Sequence, residues 1–127
     1  MNAKELMLDD WVKCLDATHT RNVCAQIEAI EEGYSVLVKE DISNWFISRE
    51  YIEPIPLTFT MLIENGFEHQ MPYNDYALGD KLALHECGEG FAVTGGIGSF
   101  NTRLQINYVH ELQHLLRLIG IEKEVIL

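Results

Sequence analysis

Two stretches of strict alternation, one after the other, constrain this chain more than any other feature. Val23, Ala25, Ile27 and Ala29 fall on one side of an extended strand and Cys24, Gln26 and Glu28 on the other. After Glu31-Glu32-Gly33, the residues Tyr34, Val36 and Val38 resume the same period. A helix would scatter these side chains around its axis, whereas a hairpin turning at Gly33 gathers them on one face. Residues 11–15 read as a short strand before the hairpin and 45–52 as a fourth after it, with Trp45, Ile47 and Tyr51 in phase. Strands this short and twisted must cover their apolar side, which predicts an N-terminal SH3-like β-barrel or curled meander.

The pattern stops at Glu53-Pro54-Ile55-Pro56-Leu57, where the prolines end strand pairing. A chain of 127 residues is the size of one domain, read here as a β-rich part over 1–57 and a second part over 58–127. Thr58 caps a short helix over 59–64, Leu57 and Leu62 form its hydrophobic staple, and Gly66 stops it. Residues 81–86 and 91–94 read as strands around Cys87-Gly88-Glu89-Gly90, with a third over 103–107. An amphipathic helix over 108–119 closes the sequence, capped by Asn107 and ended by Gly120, with Ile121 set against Leu116. The fold class expected is α+β.

Charge narrows the partners. Nine Lys and Arg face twenty Asp and Glu, for a net charge of −11, and successive basic residues stand at least six positions apart. No local run neutralises several phosphates, so nucleic acid and anionic membrane surfaces are disfavoured. The first ten residues show no signal-peptide core, and nowhere do about 18 apolar residues run together. Three cysteines without a C-x-x-C pair suggest neither a disulfide framework nor a zinc knuckle, and a reducing cytoplasm is expected. Cys14 and Cys24 sit where a hairpin would bring them together as a buried pair of thiols.

Chemistry is suggested most directly by His110-Glu111-Leu112-Gln113-His114, which matches H-E-x-x-H. On a helix its histidines stand one turn apart and can share a Zn²⁺, with Glu111 taking a proton from the metal-bound water. A catalytic zinc needs a third protein ligand, and only His69, His85 or Glu86 upstream qualify. At about 100° per residue the apolar side chains of this helix lie opposite His110, His114, Gln113 and Arg117, which are expected to face water. Cofactors are therefore expected to be none, with zinc at His110 and His114 as the alternative. In His85-Glu86-Cys87, neighbours on a strand point to opposite faces and cannot converge. Gly95-Gly96-Ile97-Gly98 lacks the Lys-Ser/Thr of a P-loop and reads as a hairpin loop. Tyr73, Asn74, Asp75 and Tyr76 read as a connection with aromatic anchors.

Three segments together resemble a known family. They are Trp11-Val12 after a short polar start, Pro54-Ile55-Pro56-Leu57-Thr58 leading to Asn65-Gly66-Phe67-Glu68, and Tyr108-Val109-His110-Glu111-Leu112-Gln113-His114-Leu115. The chain is similar over nearly its whole length to small uncharacterised proteins of gut-commensal bacteria and their phages. In that family the last motif reads Tyr-Val-His-x-Leu-Gln-Asn-Leu, so Glu111 and His114 are local variants. The resemblance supports the boundaries above and implies no activity, cofactor or catalytic residue.

With no complete catalytic set, the sequence is read as an acidic cytoplasmic or phage-related module that binds a protein partner without catalysis. The expected contact surface carries the aromatics Trp45, Phe46 and Tyr51. The alternatives are a metal-dependent hydrolase using His110, Glu111 and His114, and an acidic nucleic-acid mimic.

Overall fold

The computed structural model describes residues 6–30, 35–40, 42–70, 74–88, 90–96 and 104–127. The chain divides between Ile55 and Pro56 into two compact units.

The first unit is an antiparallel sheet of β1 (Trp11–Leu15), β2 (Asn22–Ile30), β3 (Ser35–Glu40) and β4 (Ser43–Ser48), paired in chain order. Its inner face is the expected one: Val12, Cys14, Ala25, Ile27, Val36, Val38 and Ile47 form a core with Leu6 and Ile52. Burying each larger aliphatic here contributes roughly 1.5–3 kcal/mol. The alternation breaks once. A bulge between Ile27 and Ala29 shifts the register, so that Ala29 lies opposite Leu37, and Leu37 opposite Phe46. Ala29 therefore leaves the face of Ile27, because one extra residue reverses the phase of everything after it. The predicted strand over 45–52 ends early, at a 3-10 turn over Arg49–Tyr51. The turn at Glu31-Glu32-Gly33 and Tyr34 lie outside the described residues.

Asp16 organises the β1–β2 connection. Its carboxylate accepts hydrogen bonds from the Thr18 and Thr20 backbone N–H groups at 3.2 and 3.0 Å and from the Thr18 hydroxyl at 2.9 Å. The Thr20 N–H, first among these donors, holds its pKa down to about 2. Cys14 lies opposite Val23 and Cys24 opposite Lys13, on opposite faces, so the two thiols do not form the expected buried pair. Cys14 is buried and Cys24 exposed; burial, reinforced by Cys24, Glu40 and Asp16, pushes the Cys14 thiol up to about 11.

The second unit holds α1 (Phe59–Glu64), a five-stranded antiparallel sheet and α2 (Val109–Leu118). The sheet runs β5 (Glu68–Gln70), β6 (Asp75–Leu78), β7 (Leu82–Cys87), β8 (Gly90–Gly96) and β9 (Gln105–Ile106) in chain order. Tyr76 lies opposite Leu84, Leu84 opposite Val93, and Phe91 opposite Ile106; with Leu82 these make the buried face. The Thr58 hydroxyl accepts from the Met61 N–H at 3.3 Å, Leu57 and Leu62 are buried, and Gly66 takes φ +91° where the short helix ends. Helix α2 ends at Gly120, whose N–H reaches Arg117 O while the Ile121 N–H reaches Leu116 O at 2.8 Å, a Schellman closure. The last residues return to α1. Asn65, 4% exposed, receives the Ile126 N–H on Oδ1 at 2.7 Å and donates Nδ2 to Ile126 O at 2.8 Å.

These observations correct the α+β expectation. The chain is mostly β, with two antiparallel sheets of four and five strands and two α-helices among the described residues. No barrel closes there: β4 does not pair with β1, whose outer edge carries only the bridge from Lys13 to Glu53. The second sheet is larger than expected because β5 and β6 spell Glu-His-Gln and Asp-Tyr-Ala-Leu, too short or polar to display a period. Gly95 and Gly96, read as a loop, are paired in β8 with Ala83 and Leu82, while Ile97, Gly98 and Tyr73 lie outside the described residues.

Candidate functional site

The H-E-x-x-H segment lies at the start of α2, and its position there decides its chemistry. A helix leaves its first backbone N–H groups without helical partners. Glu111 Oε1 accepts from the Asn107 and Tyr108 N–H groups at 3.0 and 3.1 Å, so its carboxylate is the cap of this helix. Tyr108, not Asn107, is the N-cap residue. Of the side chains that the helical projection turns to water, Arg117 is exposed, His114 is half-buried, and His110 and Gln113 are buried. His110 is 5% and Gln113 6% exposed, because α2 is buried over a wider arc than its apolar residues span. His110 stacks on Tyr108 with ring centres 5.9 Å apart and meets the His114 ring edge-on at 5.5 Å.

The third ligands considered for zinc are engaged elsewhere. His69 stacks on Tyr76 at 4.8 Å, His85 binds Asp75, and Glu86 accepts from the Tyr76 hydroxyl at 3.4 Å. Among the described residues no group of three or more His, Cys, Asp or Glu is placed to hold a metal. Glu111 is held by the backbone at the helix start, whereas the hydrolase alternative needs its carboxylate turned toward a metal-bound water.

The aromatic surface predicted at Trp45, Phe46 and Tyr51 is divided by the pleat. Trp45 turns inward against the core, and its indole N–H donates to Leu15 O at 3.0 Å. Phe46, its neighbour, points to the outer face and is 54% exposed. Tyr51 sits on the 3-10 turn, edge-on to His19 at 6.2 Å. What joins Phe46 is a residue the sequence reading passed over: Leu37, directly opposite it on β3, with Ala29 beyond on β2. The run Val36-Leu37-Val38 signals this, since an apolar residue between two inward ones makes the outer face apolar as well.

The second sheet carries an Asp–His pair that spacing does not reveal. Asp75 on β6 and His85 on β7 are register partners, with Oδ1 2.6 Å from Nδ1 and both side chains part-exposed. A carboxylate can only accept, so in this pair the ring donates through Nδ1. Cys87 shares this face while Glu86 lies on the other, as the alternation of a strand demands. There Tyr76 is buried, and burial followed by the charge of Glu86 raises its phenol pKa.

Against protein-family models, curated proteins and solved structures the chain gives no match. No helix among the described residues is long and apolar enough to cross a membrane.

Proposed function

We propose that this chain is a protein-binding module whose contact surface is the outer face of the first sheet, centred on Phe46 and Leu37. The observation that carries the reading is the row Ala29–Leu37–Phe46, an apolar strip on the side of the sheet away from its core. Phe46 is exposed and Leu37 half-buried beside it, and an aromatic side chain flanked by aliphatic ones is a usual anchor of a protein interface. The net charge of −11 favours a partner with a basic rim around its apolar contact. Three free cysteines, one of them exposed, suit a reducing compartment, and we place the module in the cytoplasm.

The test is quantitative affinity capture from bacterial lysate with the wild-type chain, Phe46→Ser and Leu37→Ser. A partner enriched by the wild type and lost with both variants supports the reading. Capture that is equal for all three, or no specific capture by the wild type, refutes it.

A further inference from the structure

A sheet edge exposes a row of backbone N–H and C=O groups, and proteins blunt such edges with charge, proline, brevity or a covering segment. Three of the four sheet edges among the described residues are protected. The β1 edge is bridged at Lys13, whose N–H and C=O both bond to Glu53, at 2.9 and 2.8 Å. The β5 edge is three exposed residues including Glu68, and the β9 edge is two residues long. Among the described residues the β4 edge has none of these devices. It runs Ser-Asn-Trp-Phe-Ile-Ser, six residues without charge or proline, and its one strand neighbour among the described residues is β3.

We propose that the free edge of β4 is where a second copy of this chain adds, antiparallel about a two-fold axis at Phe46. This pairing is self-complementary. It sets Phe46 opposite its twin on the outer face, Trp45 opposite Ile47 of the second copy on the inner face, and Asn44 opposite Ser48. Residues directly opposite share a face in an antiparallel pair, so inner meets inner and outer meets outer. No like charges oppose one another within the strand. The contact is isologous and closes at two copies, since it consumes the open edge of each. One strand pair covers less than the roughly 800 Å² per partner of a stable complex, so the dimer forms at high concentration. Each copy carries −11, and added salt strengthens the association by screening their repulsion. This inference concerns the main chain at the edge, and it stands or falls separately from the outer-face reading.

Sedimentation velocity on the full chain tests it, over about 10–500 µM at low and physiological salt. The expected result is a concentration-dependent dimer favoured by salt and weakened at least about tenfold in Phe46→Lys, which opposes two charges on the axis. Phe59→Lys, at an equally exposed aromatic on α1, leaves the dimer unchanged. With Cys24→Ser and Cys87→Ser in place, Phe46→Cys crosslinks to its twin on mild oxidation, since paired Cα atoms about 4.5–5.5 Å apart permit a disulfide. Ser43→Cys, six positions from its twin's partner, does not. A monomer throughout the range, a dimer indifferent to Phe46→Lys, or faster crosslinking through Ser43→Cys overturns the proposal. A monomer that still captures a Phe46-dependent partner leaves the proposed function intact.

Discussion

Replacing Asn65 by alanine removes the anchor of the C-terminal tail, and the structure sets the size of the effect. Asn65 makes two hydrogen bonds to the Ile126 backbone, and a third from Nδ2 to Met61 O at 2.8 Å. Met61 O loses little, because it also accepts the Asn65 N–H at 3.0 Å. The Ile126 pair is different: each bond is worth about 1 kcal/mol net, and more if its partner stays buried and unsatisfied. If the tail lifts away to reach water, Val125, 4% exposed, also loses its burial, roughly 1.5–3 kcal/mol for such a side chain. Either route predicts that Asn65→Ala costs about 2–4 kcal/mol, measured by urea unfolding, with amide exchange at Ile126 accelerated at least ~30-fold. Asn65→Asp sharpens the test. Its carboxylate still accepts from Ile126 N–H but turns a second oxygen on two carbonyls, which raises its folded pKa above about 3.9. A raised carboxyl pKa favours the folded state at low pH, so the deficit of this variant narrows as pH falls from 7 to 4. A loss below about 0.5 kcal/mol in Asn65→Ala, with Ile126 still protected, refutes the reasoning.

Two further outcomes follow from the caps and turns. Glu111→Ala uncovers the Asn107 and Tyr108 N–H groups and lowers stability to urea by about 1–2 kcal/mol, whereas Glu111→Gln retains an acceptor and costs less than half as much. Equal losses in the two variants contradict the capping role. Asp16, held at about 2 against 3.8 when unconstrained, favours the fold fully above pH 4 and loses that contribution as pH falls through 2. Asp16→Asn therefore flattens the pH dependence of the urea midpoint between pH 4 and 2, and parallel slopes for variant and wild type exclude the effect.

The elements whose side chains all obey one period were legible in the sequence. Residues 11–15 and 59–64 appear where expected, and the last helix runs over Val109–Leu118. The misreadings have physical causes. A single extra residue at the bulge moved Ala29 off the core face, which no alternation rule anticipates. Strand β6 shows no period because Asp-Tyr-Ala-Leu is only four residues long, and its Asp75 meets His85 ten positions away through register, not spacing. The exposure of His110 was misjudged because a helical projection ranks faces only against one another. It says nothing of how far around the helix the surroundings reach.

The capping role of Glu111 bears on how five-letter metal signatures are interpreted in any protein. His110 is the second residue of its helix, so the acid that follows falls on the third, within reach of orphan amides. A hydrolase needs that acid released toward bound water, which calls for at least another turn of helix upstream. Counting from the first helical residue therefore separates the two meanings of one spelling before any ion is added.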